Sequence, residues 1–183
     1  MGADAAASLA QLGLHLSSAL HYMHGKGYLH LDIKPGNIVV ESGIARVIDL
    51  SLARPPGTYR QGVGTPAYLS PEQARGGALS PASDIWGIGV TLYEAGTFKT
   101  AFDPSGRRES AFVGQGGYLQ LRRRARPLGR LRPGLPQELT TIVERCLDPE
   151  PGERPTLSEL RATLMTLIEP SPQTEAWRLA MAS

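Results

Sequence analysis

Asp32, Lys34 and Asn37 fall within one short run, His30-Leu31-Asp32-Ile33-Lys34-Pro35-Gly36-Asn37, and Asp49 follows two strand-like stretches further on. Two carboxylates, an ammonium and an amide are groups suited to phosphate and to a hard divalent cation: oxygen ligands for the metal, a cation for the phosphoryl group. Pro35-Gly36 forces a tight turn, so these side chains can converge on one point rather than project along an extended strand. A His-x-Asp run taken alone also reads as a surface turn, so the neighbouring elements decide the matter.

The elements that would position these groups have their own signatures. Leu9, Leu12, Leu16, Leu20 and Met23 recur at three- and four-residue steps. They predict an amphipathic helix ending at Gly25 and Gly27. His21 and His24 lie on it three residues apart; lacking a third ligand, they read as helix-surface residues rather than a metal pair. Ile38–Val40 and Ile44–Ile48 flank Glu41-Ser42-Gly43 as a hairpin that would deliver Asp49 beside Asn37. Residues 52 to 66 are rich in Gly and Pro, without periodicity, and predict a mobile loop with Thr58 and Tyr59 at its middle. Ser80-Pro81 is a helix start and Gly96 a helix end; between them apolar residues point in all directions, which marks a buried helix. Asp84 on such a helix needs hydrogen-bond partners, because a buried unpaired carboxylate is costly.

With these segments in order, the chain resembles the protein kinase family over roughly residues 5 to 168. His30–Asn37 matches the family's H-x-D-x-K-x-x-N catalytic loop, and Asp49-Leu50-Ser51 stands where the family has D-F-G. Gly64-Thr65-Pro66-Ala67-Tyr68 leading into Ser70-Pro71-Glu72 is similar to the end of an activation segment. Asp84-Ile85-Trp86-Gly87-Ile88-Gly89 resembles the buried central helix, and Pro149–Thr156 the turn carrying the arginine that pairs with the Pro-Glu glutamate. The fold implied is mainly α with a small β-hairpin, the C-terminal lobe of a kinase without its β-rich N-terminal lobe.

The resemblance assigns roles residue by residue. Asp32 would orient a substrate hydroxyl and accept its proton, Lys34 would stabilise the transferring phosphoryl, and Asn37 and Asp49 would hold Mg²⁺ bridging the phosphates of ATP. Lys34 together with Thr65 points to serine and threonine acceptors on protein substrates. His30, Glu72, Asp84 and Arg154 are expected to support the site: His30 by positioning the loop, Asp84 by accepting from the loop backbone, Glu72 and Arg154 as an ion pair. Two positions depart from the pattern. Leu31 replaces the arginine that reads a phosphorylated activation loop, and Leu50-Ser51 replaces Phe-Gly.

Before residue 28 the sequence offers no Gly-rich loop and Lys26 is its only lysine. A small lobe encoded upstream or supplied by a separate chain is therefore expected as partner. A catalytically inactive kinase-like interaction module is the alternative. Residues 1–169 are expected to form this partial domain and 170–183, with two prolines and no core pattern, a disordered tail.

Composition narrows the remaining classes. The chain has 183 residues, 41% hydrophobic and 20% charged, and a net charge of +2. This suits one globular domain with no general case for nucleic acid. No uncharged apolar run approaches the length of a membrane span, no secretory signal opens the chain, and its lone cysteine suits a reducing compartment, so the cytoplasm is expected. Cys146 falls on an apolar helical face and reads as inert core. Gln137–Leu147 and Leu157–Ile168 predict two last helices. Residues 103 to 135 are glycine-rich and basic, with Arg122, Arg123, Arg124, Arg126, Arg130 and Arg132 close together. They read as a solvated helix face and loop, with a docking surface for acidic partners as the alternative.

Overall fold

The leucine stripe between Leu9 and Met23 belongs to a 24-residue helix, α1 (Gly2–Gly25), whose Leu9, Leu16 and Leu20 are buried. The computed structural model describes residues 2–102 and 117–168. The glycine-rich part of the basic stretch (103–116) and the proposed tail (170–183) lie outside these residues. After α1 come β1 (Ile38–Glu41), β2 (Ile44–Val47), β3 (Gly57–Tyr59), α2 (Pro71–Arg75), β4 (Gly77–Leu79), α3 (Pro81–Thr97), α4 (Leu128–Leu131), α5 (Gln137–Cys146) and α6 (Leu157–Met165).

The core is helical. α1 packs against α3 and α6, and α5 packs on α3, around Trp86, Ile88, Leu92, Leu139 and Leu160, all almost fully buried. Each such side chain contributes roughly 1.5–3 kcal/mol by leaving water. α3 is the central strut. Its start is capped by Ser80, which accepts from Ala82 N, with Pro81 in the first turn. Its end lies past the expected Gly96: Phe98, in the left-handed conformation at φ 57°, closes the helix, with its N–H bonded to Glu94 O. Gly96 is buried against Leu9 instead, where a Cβ would come to 3.3 Å of the leucine side chain.

The hairpin forms as expected but with a tighter turn: Glu41, expected in the turn, pairs with Ile44, and Ile38 lies opposite Val47. Ser42 and Gly43 both have positive φ, 50° and 79°, the two-residue turn that suits the twist of a hairpin. A second sheet was not expected. Gly57–Tyr59, placed by the sequence in an irregular loop, pairs antiparallel with Gly77–Leu79. Three residues carry no periodicity of their own, and their partner is twenty residues away. The last two helices match expectation, although α6 stops at Met165. Cys146 is fully buried on α5, and burial pushes its thiol up to about 12, too high for a nucleophile at neutral pH. No helix among the described residues is long and apolar enough to cross a membrane.

Candidate active site

Three of the residues singled out above, Lys34, Asn37 and Thr65, converge on the carboxylate of a fourth, Asp32. Asp32 Oδ2 accepts from Lys34 Nζ at 2.7 Å and from Asn37 Nδ2 at 2.9 Å. Asp32 Oδ1 accepts from Thr65 Oγ1 at 2.7 Å and from Thr65 N at 3.0 Å. Lys34 Nζ also donates to Thr65 Oγ1 at 2.6 Å, so ammonium, hydroxyl and carboxylate form a closed triangle. The one-turn 3₁₀ segment Pro35–Asn37 makes this possible: it folds the chain back so that Asn37 Nδ2 reaches the Asp32 main-chain carbonyl, at 2.9 Å, as well as the carboxylate. Burial pushes the Asp32 carboxyl up, but the hydrogen bonds from Lys34 and Thr65, the nearby ammonium and the Asn37 amide outweigh it and hold the group below the ordinary aspartate value. Asp32 is thus ionised at neutral pH.

Asp49 stands apart from this cluster. Ile48 N bonds to Asn37 O at 2.9 Å, extending the hairpin pairing and setting Asp49 one residue beyond it. Its side chain is exposed, with Oδ1 accepting from Ser51 N at 3.1 Å. The Ser51 hydrogen bonds, with a smaller contribution from the charge of Lys34, hold its carboxyl below the ordinary value. Asp49 has a positive φ of 63°, tolerable for aspartate. His30 joins the two carboxylate-bearing segments: its Nδ1 accepts from Asp32 N at 3.2 Å and its Nε2–H donates to Ile48 O at 3.3 Å. One neutral tautomer satisfies both bonds.

Behind the loop, Asp84 on α3 holds its backbone. Asp84 Oδ2 accepts from His30 N at 2.9 Å and Oδ1 from Leu31 N at 2.7 Å. Gly87, one turn along α3, lets the loop approach: a Cβ there would sit 2.9 Å from Ile33 Cβ. Leu31 takes φ 65°, a strained conformation for a branched residue. It is sustained from both sides, by Asp84 on its N–H and by Gln73 Nε2 on its carbonyl at 2.9 Å.

Three positioning residues were not legible in this role. His24, read as helix surface, donates from Nε2 to Asp84 Oδ2 at 2.8 Å with only 11% of its side chain exposed. Asp84's need for partners was the one available clue. Gln73 ties Leu31 O to Val63 O through Nε2 and accepts from Ser70 N through Oε1. Its signal was present, since Ser70-x-x-Gln73 is the capping-box pattern and α2 carries that box. Gln120 donates to Pro66 O and Leu69 O, both at 2.9 Å, steadying the segment that follows Thr65; nothing in the sequence marks it.

Glu72 and Arg154 meet although far apart in sequence. Arg154 Nη1 and Nη2 donate to the two Glu72 oxygens at 2.7 and 2.9 Å. Ser83 Oγ adds a bond to Glu72 Oε1 at 2.8 Å. Arg154 also donates to the carbonyls of Ala82 and Asp148 and lies over the Trp86 ring at 5.1 Å. This pair pins the far end of the segment that carries Thr65 to the helical core.

A helical lobe that presents a turn-borne Asp-Lys-Asn cluster, closed by a threonine from a second segment, is the architecture of a protein-kinase-like fold. The comparisons agree: the protein kinase domain model matches residues 5–164. The chain is 35% identical over 167 residues to a probable serine/threonine-protein kinase PknB of Bifidobacterium longum, covering 86% of this chain and 23% of that protein. It is 37% identical over 164 residues to a probable serine/threonine-protein kinase PkwA of Thermomonospora curvata, covering 87% and 21%. With the AfsK kinase of Streptomyces coelicolor it shares 35% identity over 159 residues, covering 84% and 18%. The chain belongs to the protein kinase family, in its bacterial serine/threonine branch. It spans less than a quarter of the length of these three relatives.

Proposed function

We propose that the chain forms the C-terminal lobe of a kinase domain that transfers the γ-phosphoryl group of ATP to serine and threonine hydroxyls of proteins. The observation that carries this reading is the closed triangle of Asp32, Lys34 and Thr65. A short hydroxyl entering the triangle would replace Thr65 Oγ1 on the Asp32 carboxylate while Lys34 stays within reach of the phosphoryl oxygens. A carboxylate held below its ordinary value is a weak base, so Asp32 mainly orients the hydroxyl and takes its proton late. Lys34 supplies positive charge where the transferring group carries its negative charge.

Asn37 and Asp49 carry donor groups that fit a magnesium ion: Asn37 Nδ2 is engaged by Asp32, which leaves its amide oxygen as acceptor, and the exposed carboxylate of Asp49 follows Ile48, whose N–H bonds to Asn37 O. Two hard oxygen ligands plus substrate phosphates is the usual way this ion is held. Held by Asn37 and Asp49, such an ion would supply positive charge against the phosphates. A small lobe that covers ATP is the expected partner. Val39, Ile44, Ile48 and Leu50, all between 43% and 59% exposed along the hairpin and just past it, give it an apolar seat.

The test is Thr65→Ala in a chimaera that places a relative's small lobe before residue 5. Turnover on serine and threonine peptides should fall about a hundredfold, by the sensitivity of such sites to small misplacement, with ATP affinity and melting temperature nearly unchanged. Wild-type turnover in the variant, or a wild-type preference for tyrosine peptides, would overturn the serine/threonine reading.

The same chimaera should work without phosphate on its activation segment. Leu31 stands where an arginine would read that phosphate, and it is buried in an apolar cluster with Leu29, Val63 and Leu79 under Tyr59. The Tyr59 hydroxyl is engaged with Pro55 O at 2.7 Å, and Arg54 lies over its ring. Apolar packing therefore does the ordering that a charge-assisted bond would otherwise do. Phosphatase treatment and Thr58→Ala should each change the rate by less than about tenfold, because no charge-assisted bond to a loop phosphate is there to be lost. A loss of a hundredfold or more would show that another basic residue reads phosphate here.

A further inference from the structure

The arginine-rich segment is mostly loop, with Arg130 on the short helix α4. Arg123 to Pro127 is irregular, and with the end of α3 and the residues after it this stretch encloses a cleft of about 200 Å³. Lys99, Arg123, Arg124 and Arg126 all line it, and among the described residues no acidic side chain does. Among the described residues none of these four cations is in an ion pair. Ala101, Phe102 and Leu131 add apolar lining, with Phe102 stacked on Trp86 at 5.3 Å, so the floor of the cleft is anchored to the core while the four cations stand exposed at its rim.

We propose that this cleft binds a phosphorylated serine or threonine side chain of a protein segment. Four like charges around so small a volume repel one another, and an anion of about −1.5 to −2 relieves that repulsion better than a single carboxylate. Arginine forks match phosphate oxygens two at a time, which lysines and solvated faces do not. The volume holds a phosphate and a short aliphatic stem; nucleotide- or drug-sized ligands need about 300–1,000 Å³. The site is separate from Asp32. Lys99 lies fifteen residues past Asp84, roughly 20 Å at the rise of a helix. The proposal goes beyond the phosphoryl-transfer reading and does not depend on it.

Short neutral peptides carrying phosphoserine, serine or glutamate, each labelled with fluorescein, are titrated with the full chain and read by anisotropy. The phosphoserine peptide should bind about tenfold or more tighter than the other two, and should weaken as salt is raised. The combined Arg123→Ala, Arg124→Ala, Arg126→Ala variant should lose at least that factor, and the single Arg124→Gln variant part of it. Arg46→Ala, on the exposed hairpin, should keep wild-type binding. Equal binding of all three peptides, unchanged binding by the arginine variants at wild-type melting temperature, or no binding at all would overturn the proposal. So would binding confined to phosphatidic acid vesicles or to a single-stranded oligonucleotide, which would mark a general polyanion surface.

Discussion

Replacing Arg154 by alanine is expected to lower the unfolding free energy by about 3–5 kcal/mol, the usual cost of stranding one partner of a buried ion pair. Arg154 is 5% exposed, and its guanidinium is engaged by Glu72, by three main-chain carbonyls and by the face of Trp86. The variant leaves Glu72, 12% exposed in its side chain, with Ser83 as its remaining side-chain partner. At this chain length the loss corresponds to a fall of roughly 6–20 °C in melting temperature. Arg154→Lys should recover little, because an ammonium cannot span both carboxylate oxygens and stack on an indole at once. A pH series adds an independent check. Burial pushes the Glu72 carboxyl up, but the hydrogen bonds and charge of Arg154 more than compensate, so its folded value lies below the unfolded one. Its contribution to stability is present above the unfolded value of about 4.3 and is lost as pH falls through the folded value. In Arg154→Ala, burial acts without that compensation, so the acid-side loss should shrink or reverse. A thermal melt showing less than about 1 kcal/mol of change would mean the pair is solvated and does not clamp the segment.

Asp32→Asn in the two-lobe chimaera should reduce turnover by about 10²–10⁴-fold, the range over which a positioned acid–base group contributes. The substitution is not neutral for the site. Both Asp32 oxygens accept hydrogen bonds, Oδ1 from Thr65 and Oδ2 from Lys34 and Asn37, so an amide places a donor against donors whichever way it turns. The triangle should open, and Lys34 should lose its anchor. Asp32→Ala, which removes the clash as well as the charge, separates the two effects. If both variants lose turnover equally while ATP affinity is retained, the loss belongs to the carboxylate. Retention of more than about a tenth of the wild-type rate by either would remove Asp32 from the reaction.

How much could be read in advance depended on how local the information was. The long amphipathic helix, the hairpin, the capped start of α3 and the last two helices all follow from periodicity and caps. Those signals act within a few residues, so sequence alone carries them. The residue types at Asp32, Lys34, Asn37 and Asp49, with the order of the segments around them, also pointed to the family before any coordinates.

What needed the tertiary structure was contact between segments whose partners lie far apart in the chain. The strand at Gly57–Tyr59 exists because Gly77–Leu79 is beside it, and three residues have too little pattern to announce a strand. His24 reads as surface until α1 and α3 pack and bring it to Asp84. Gln73 and Gln120 are ordinary polar residues until their amides meet the carbonyls of Leu31 and Val63, and of Pro66 and Leu69. The arginine cluster was visible as composition, but whether it formed a helix face or the wall of a cleft depended on where Phe102 and the end of α3 came to rest. Sequence determined the chemical groups and the local turns that bend them; packing decided which groups share hydrogen bonds, because a side-chain bond forms only where the core has already brought both partners within about 3 Å.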